Sequence, residues 1–326
     1  MEKDLTSPFS TAFARGERFL MEGALGERLK REFGLLPHPE VALAVHGTTE
    51  AGQAALKALW WEYAAIAHDH GLPFLATTPT RRANQARAAK AGFDQTLIRE
   101  NVRFLRSVLD TCPGTSYLGG MVGCHGDAYT GEAALSEGEA RDFHRWQVEA
   151  LAEEQVDFLY GALLPTLPEA AGLARTMAET GLPYILSFTI QKDGCLIDGT
   201  PLSHAIQLID GMVHPAPLCY MTNCVHPSIV YEALSVPCNE VPLVKSRFLG
   251  IQGNTSPLSY AELDRATDLL TSDPISFAAA AVRLLELAPF QIFGGCCGTD
   301  GRHLRQIAHR LQSLQYRKKT IPCLIH

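Results

Sequence analysis

Two adjacent cysteines near the end of the chain are the strongest candidates for a chemical role, because glycines flank them on both sides. Cys296 and Cys297 stand between glycines in the segment 294–299, directly after the apolar run 290–293. Neighbouring side chains of a regular strand point to opposite faces, so the two sulfurs can converge only where the backbone leaves strand geometry, which the glycines permit. A metal ion with a third ligand from elsewhere in the chain is a natural centre for such a pair.

Three other interpretations of the cysteine pair stay open at this point. Free cysteines are often buried as small core residues. A disulfide between adjacent cysteines is possible but strained. A glycine-rich loop after a late strand of an α/β barrel can also bind phosphate, although phosphate binding does not require two thiols.

The composition excludes several classes of protein. The chain has 326 residues, of which 46% are hydrophobic, and a net charge of −7. Its basic residues are dispersed, which argues against a nucleic-acid partner. The first residues lack the apolar core of a signal peptide, and no apolar run approaches the roughly 20 residues of a membrane span. Nine cysteines without a secretion signal favour thiols or metal ligands, so we expect a cytoplasmic protein.

Eight apolar, strand-like runs alternate with segments of helical periodicity. The runs cover residues 18–21, 73–76, 116–122, 156–164, 183–190, 217–222, 247–251 and 290–293. Helical patterns cover 49–70, 83–109 with a break near Gly92, 136 onward, 167–180, 202–212, 276–288 and 302–314. This alternation without a linker predicts a single (β/α)8 TIM barrel domain over residues 1–326, with an open doubly wound sheet as the alternative.

In such a barrel, the loops that follow the strands share one face, where active sites lie. Cys224 follows the sixth run, and Cys296 and Cys297 follow the eighth. We therefore predict that the three sulfurs meet at the carboxyl end of the barrel. Three protein ligands with one open position are typical of a catalytic zinc site.

Several segments resemble the homocysteine S-methyltransferase family over nearly the whole chain. Asn223-Cys224 and the Gly-Gly-Cys-Cys-Gly-Thr segment 294–299 are similar to that family's zinc site, and segments 22–26 and 123–129 resemble two of its loops. The resemblance implies a zinc-dependent (β/α)8 barrel that moves a methyl group from a small onium donor, such as S-methylmethionine or betaine, to homocysteine or a related thiol. Its implied partners are small molecules, with no nucleic acid, membrane or particular oligomeric state indicated.

The same resemblance assigns roles to individual residues. It implies that Cys224, Cys296 and Cys297 bind zinc. The candidate substrate-binding residues are Glu22, Asn223, Tyr129, Ser187 and Phe188. Tyr129, Phe188 and also Tyr160 are candidates for cation–π contact with an onium donor, or alternatively core residues.

Three departures from the family pattern fall on the acceptor pocket. Ala162 stands where the family has a glutamate that holds the amino group of homocysteine, Glu22 replaces an aspartate, and Met221 replaces a glycine. We therefore expect intact metal ligands but poor use of homocysteine. The alternatives are a non-catalytic zinc- or thiol-binding relative and a metal-free phosphate-binding barrel enzyme.

Overall fold

Eight parallel strands close into a barrel in a computed structural model that describes residues 7–258 and 272–320. Each strand pairs with its neighbours in the sequence, and β1 pairs with β8. The strands are β1 (Phe19–Met21), β2 (Phe74–Thr77), β3 (Ser116–Gly123), β4 (Phe158–Leu164), β5 (Tyr184–Phe188), β6 (Cys219–Val225), β7 (Phe248–Gly253) and β8 (Ile292–Gly295). The predicted (β/α)8 barrel is therefore confirmed, and the open sheet is excluded.

Helices follow each strand on the outside of the barrel. In the described part of the chain they are Gly26–Phe33, Glu50–Asp69, Gln85–Lys90, Thr96–Leu109, Glu137–Glu153, Leu167–Glu179, Leu202–Met212, Pro227–Ser235, Pro242–Arg247, Pro274–Arg283 and Gly301–Thr320, with 3-10 turns at Leu43–Thr48 and Leu284–Glu286. None of these helices is both long and apolar enough to cross a membrane.

The predicted helix over 83–109 divides in two beside Gly92, whose φ of 78° is left-handed. The helix predicted from 136 begins with the expected capping box between Ser136 and Glu139. Three helices after β1 and β6 were not predicted, because they have only 8, 9 and 6 residues and are too short for a periodic pattern to be recognised. Most of the segment 255–274, which we expected to be irregular, lies outside the described residues.

The strands carry two apolar layers because successive side chains face opposite sides of the sheet. On β5, Ile185 belongs to the cluster inside the barrel, whereas Leu186 packs between the barrel and its helices. The inner layer supplies the walls of the barrel mouth, and the outer layer fixes the helices. The inward positions at the carboxyl ends of the strands are therefore the ones that can reach a site.

A helix at the start of the chain closes the amino end of the barrel. Pro8–Ala14 is capped by Ser7, and it places Phe9 against the rings of Phe19, Tyr117 and Phe158, at centroid distances of 5.4, 5.2 and 4.6 Å. All three partners lie at or near the first residues of their strands. The carboxyl end, where the loops after the strands converge, is consequently the open end.

Candidate metal and substrate site

Three cysteine sulfurs meet at the carboxyl end of the barrel. The Sγ atom of Cys297 lies 3.5 Å from that of Cys224 and 3.9 Å from that of Cys296. All three sulfurs lie within 4.8 Å of one another. Zinc–sulfur bonds of about 2.3 Å in tetrahedral geometry place two sulfurs about 3.8 Å apart, so the cluster already has the spacing of a zinc site.

An unusual backbone conformation turns Cys224 toward its partners. We expected Cys224 to follow the sixth strand, but it is the penultimate residue of β6, with a left-handed φ of 64°. The pairing of β6 with β7 shifts between Asn223 and Val225. A left-handed residue other than glycine is strained by roughly 1–2 kcal/mol, so the surrounding contacts must hold it in place.

The loop with the other two cysteines is held by hydrogen bonds on both sides. The Cys296 amide donates to the carbonyl of Gly253 at 2.7 Å, and the Thr299 hydroxyl donates to the carbonyl of Cys296 at 2.7 Å. The Gly298 amide donates to Oε2 of Glu27 at 2.6 Å. These bonds fix the positions of both sulfurs before any metal binds.

The side chain of Asn223 ties three strand ends together beside Cys224. Its Oδ1 accepts from the Ser187 hydroxyl on β5 at 2.7 Å and from the Leu163 amide on β4 at 3.1 Å. Leu163 is itself left-handed, with φ of 57°. The two predicted residues Asn223 and Ser187 are thus in contact, and in this structure they hold the backbone that presents Cys224.

The three aromatic residues predicted as candidates for cation–π contact lie in different places. The hydroxyl of Tyr129 donates to Sγ of Cys224 at 3.3 Å, so this ring lies at the cysteine cluster. Phe188 instead stacks on Tyr220, with ring centroids 5.5 Å apart, in the layer between barrel and helices. Phe188 therefore does not share the barrel mouth with the cysteines, because it occupies an outward position of β5. Tyr160 faces inward and donates to Oε1 of Gln252 at 2.9 Å.

Glu22 is a buried carboxyl group with a complete set of hydrogen bonds. Its Oε2 accepts from the indole of Trp60 at 2.6 Å and from the Thr77 amide at 3.1 Å, while Oε1 accepts from the Thr77 hydroxyl. Burial raises the pKa of Glu22 to about 7, although the bonds from Thr77 and Trp60 oppose that rise. The residue is next to the top of β1, but its oxygens are already engaged with protein donors.

The three thiols cannot all ionise without a compensating cation. Hydrogen bonds from Cys296 and Cys297 lower the pKa of Cys224, with a further contribution from the hydroxyl of Tyr129. The interaction with Cys224 in turn raises the pKa of both Cys296 and Cys297. A divalent metal would lower the pKa of all three thiols, because it stabilises every thiolate at once. The three sulfur donors therefore fit a thiophilic metal such as zinc.

The inward layer of the barrel is apolar around Ala162, the position where the family resemblance leads us to expect a glutamate. Ala162 is fully buried in the cluster inside the barrel, together with Tyr160 and Met221. Met121 on β3 packs against the same cluster and is partly exposed. None of these four side chains carries a negative charge that could form an ion pair with an ammonium group.

Three residues at the mouth were not found from the sequence. Glu27 binds the cysteine loop as described, Asn254 places Nδ2 4.0 Å from the sulfur of Cys224, and Arg81 contributes positive charge to the cluster. Each lies within a few residues of the carboxyl end of a strand, so the strand positions alone could have indicated them. The resemblance drew attention to other positions because these three belong to no quoted motif.

Comparison with known proteins agrees with this geometry. A family model described as homocysteine S-methyltransferase matches residues 19–311. The chain is 28% identical to homocysteine S-methyltransferase YbgG of Bacillus subtilis over 198 residues, 58% of each chain. It is 30% identical to homocysteine S-methyltransferase of Escherichia coli over 169 residues, 46% of this chain and 53% of the relative. These alignments thus span somewhat more than half of each relative.

A solved structure matches over a larger share of the fold. The metallated homocysteine methyltransferase MmuM of Escherichia coli superposes with a TM-score of 0.71 at 22% identity, covering 92% of this chain and 98% of that one. At this level of identity the match establishes the shared barrel fold.

Proposed function

Because the chain belongs to the homocysteine S-methyltransferase family, we propose that it is a zinc-dependent thiol S-methyltransferase. It transfers a methyl group from a small onium donor to a thiol acceptor. The observation that carries the proposal is the cluster of Cys224, Cys296 and Cys297 at the open end of the barrel.

Cys224, Cys296 and Cys297 would hold the metal through their sulfurs. Zinc bound there supplies a positive charge that keeps the acceptor sulfur ionised at neutral pH. The acceptor gives up its thiol proton to solvent. Its sulfur lone pair then forms a bond to the methyl carbon while the bond from that carbon to the onium centre breaks, and the electron pair leaves with the donor, which becomes uncharged at that centre.

The residues of the chain contribute chiefly alignment. Asn223 and Ser187 hold the strained end of β6, and Glu27 holds the cysteine loop, so the sulfurs are positioned without a large rearrangement. In-line displacement gains much of its rate from such positioning. Tyr129 lies against Cys224, where its ring is available to an onium cation.

The geometry argues against a phosphate-binding enzyme but not against a non-catalytic zinc-binding relative. A phosphate bound by the glycine loop would need the Gly298 amide, but that amide donates to Glu27, whose carboxylate would repel a phosphate. A non-catalytic zinc-binding relative remains the second candidate, because Ala162 removes the family's contact to the amino group of homocysteine.

Metal content tests the proposed site. Protein purified without oxygen should contain one zinc per chain, and Cys297→Ser should abolish tight zinc binding while the barrel stays folded, since the sulfur lies on a loop. Cys238→Ser is the matched control, because Cys238 is an exposed free cysteine away from the cluster. Near-zero zinc that reconstitution cannot restore would contradict the proposal.

Methyl transfer separates the enzyme from a non-catalytic relative. The zinc-loaded, reduced protein is incubated with each pair from a panel of thiols and onium donors, and methylated thiol is measured. We expect turnover for at least one pair and none in Cys297→Ser. Zinc binding without turnover across the panel would favour the non-catalytic function.

A further inference from the structure

Arg81 lies in the loop after β2, at the same end of the barrel as the cysteines. The loop is fixed, because the Thr80 hydroxyl donates to the carbonyl of Met121 at 2.7 Å and Gln147 donates to the carbonyl of Thr80 at 2.8 Å. The carbonyl of Arg81 accepts from the Gly123 amide at 3.1 Å. Its side chain passes so close to Gly123 that a Cβ added there would lie 2.5 Å from its Cγ.

The guanidinium of Arg81 is partly buried, and its charge acts on the cysteine cluster. It adds to the hydrogen bonds from the other cysteines that lower the pKa of Cys224, and it opposes the rise that burial causes in the pKa of Tyr129. The adjoining loop carries Asp127 and Glu132. Burial raises the pKa of Asp127, but hydrogen bonds from the backbone amides of Tyr129 and Thr130 to its Oδ1, at 2.7 and 2.9 Å, lower that pKa overall. The charge of Arg81 adds to this lowering. Asp127 forms no ion pair with Arg81.

Within residues 7–258 and 272–314, where side chains are described, no carboxylate pairs with the Arg81 guanidinium. A guanidinium offers five N–H donors in a planar arrangement that matches a carboxylate. A guanidinium that pairs with no carboxylate of the described residues can bind an incoming carboxylate through these donors. The fixed loop means that little backbone freedom is lost when an anion binds.

We propose that Arg81 binds a carboxylate of the substrate, so that this site selects thiols or onium donors with a carboxylate over those without one. The inference rests on the proposed methyl transfer and names its substrate class. It agrees with the apolar wall at Ala162 and Met221, where no group is available for an ammonium. A mercapto acid without an amino group satisfies both features, because its anion has a partner and no buried cation is left unpaired.

Arg82 provides a matched control for Arg81. It is the next residue of the same loop and is also partly buried. The charges that act on it are those of Arg87, Arg81, Glu40 and Cys124, with no contribution from the cysteine cluster. Substituting Arg82 therefore removes the same charge from the same loop but leaves the charge that acts on the cysteine cluster.

Binding calorimetry on the zinc-loaded protein tests the acceptor as the source of the carboxylate. The ligands are 3-mercaptopropionate and its neutral amide, 3-mercaptopropionamide. Wild type should bind the acid about 10- to 150-fold more tightly, the usual range for a hydrogen bond to a charged group. Arg81→Met should bring the two affinities within about threefold by weakening only the acid, whereas Arg82→Met keeps the preference.

A second pair of ligands tests whether the methyl donor supplies the carboxylate. Dimethylsulfoniopropionate carries a carboxylate, and trimethylsulfonium does not. Loss of the carboxylate preference in Arg81→Met for either pair supports the proposal and identifies the substrate concerned. Unchanged preferences in both pairs, or no preference in wild type, would overturn it. Arg81→Lys, which keeps the charge but loses the planar arrangement of donors, should show an intermediate preference if Arg81→Met proves unstable.

The two proposals can fail separately. Calorimetry needs no methyl transfer, so it reports on Arg81 even if no donor and acceptor pair reacts. Conversely, methyl transfer with no role for Arg81 would leave the proposed function intact. Zinc content and unfolding midpoint, measured on each variant, show whether the metal site and the fold are preserved.

Discussion

At the scale of single residues, Glu22 makes the stability of the folded protein depend on pH. Its pKa is raised from 4.5 to about 7 by burial, so the folded protein keeps the carboxyl protonated over a range where the unfolded chain has already ionised. The unfolded state then binds fewer protons, and stability falls as pH rises from about 4.5 to 7. The loss approaches about 3 kcal/mol at 1.36 kcal/mol per pKa unit.

Replacing Glu22 with glutamine should remove that loss. The amide oxygen can accept from Trp60 and the Thr77 amide, and the amide nitrogen can donate to the Thr77 hydroxyl, which reverses the direction of that one bond. Relative to wild type, Glu22→Gln should gain about 3 kcal/mol of unfolding free energy between pH 5 and 8, measured by urea denaturation. The exposed Glu132→Gln is the control, and a pH dependence shared by wild type and Glu22→Gln would contradict the argument.

Ala162 is the second residue with a direct test. A glutamate at this inward position should supply the missing partner for the ammonium of homocysteine, because a buried unpaired charge is expensive. We expect Ala162→Glu to raise the kcat/KM ratio of homocysteine to 3-mercaptopropionate about 10- to 150-fold, which corresponds to about 1.5–3 kcal/mol.

Ala162→Gln is the matched control for this substitution, since it adds similar volume without charge. If both variants change the ratio equally, the effect comes from packing rather than from charge. A strong preference of wild type for homocysteine, unimproved by the glutamate, would show that another residue holds the ammonium.

At the scale of elements, the site depends on strand ends that leave regular geometry. Cys224 on β6 and Leu163 on β4 are left-handed, and Asn223 joins both ends through one oxygen. Gly298 after β8 is also left-handed, with φ of 80°. The cysteines converge because β6 and the loop after β8 each turn away from strand geometry at the same height of the barrel.

Gly298→Ala should therefore damage the metal site more than the fold. An added Cβ would lie 2.0 Å from the hydroxyl oxygen of Thr255, which forces the cysteine loop to move. We expect zinc affinity to fall at least about tenfold, measured by competition with a chelator, for a displacement worth roughly 1–2 kcal/mol.

Gly34→Ala separates backbone strain from displacement of the loop. Gly34 has a similar φ of 69°, but nothing lies within 4 Å of an added Cβ. This variant should lose a comparable amount of stability and keep its zinc affinity. Equal zinc affinities in the two variants would show that the loop tolerates the shift.

At the scale of the whole molecule, the contacts that stabilise the fold and the candidate metal site lie at opposite ends of the barrel. The helix Pro8–Ala14 closes the amino end with aromatic contacts, and the cysteines lie at the carboxyl end. Substitutions at the closed end should act on the fold while leaving the site unchanged.

Phe9→Ala tests this separation. The side chain is fully buried among Phe19, Tyr117 and Phe158, so its loss should lower the free energy of unfolding by about 3–5 kcal/mol. Zinc content of the folded protein should not change. Phe33→Ala, at a residue that is 42% exposed, is the control and should cost far less. Loss of zinc in folded Phe9→Ala would show that the two ends are coupled.

The sequence by itself determined the alternation of strands and helices, and therefore the barrel. It also determined which loops share a face, so Cys224 could be placed with Cys296 and Cys297 before their distances were known. Both follow from periodicity and chain order, which are local properties that do not depend on detailed packing.

Only the tertiary structure decided what each candidate side chain touches. The inward or outward direction of Phe188 depends on strand register, and the contacts of Glu22 depend on Trp60, 38 residues away. Arg81 and Glu27 act at the cysteine cluster from the segments after β2 and β1. Their positions after strands place them at the correct end of the barrel, but not in contact with any particular residue. Such roles arise from distances between segments that are remote in the chain, which propensity and spacing within one segment cannot encode.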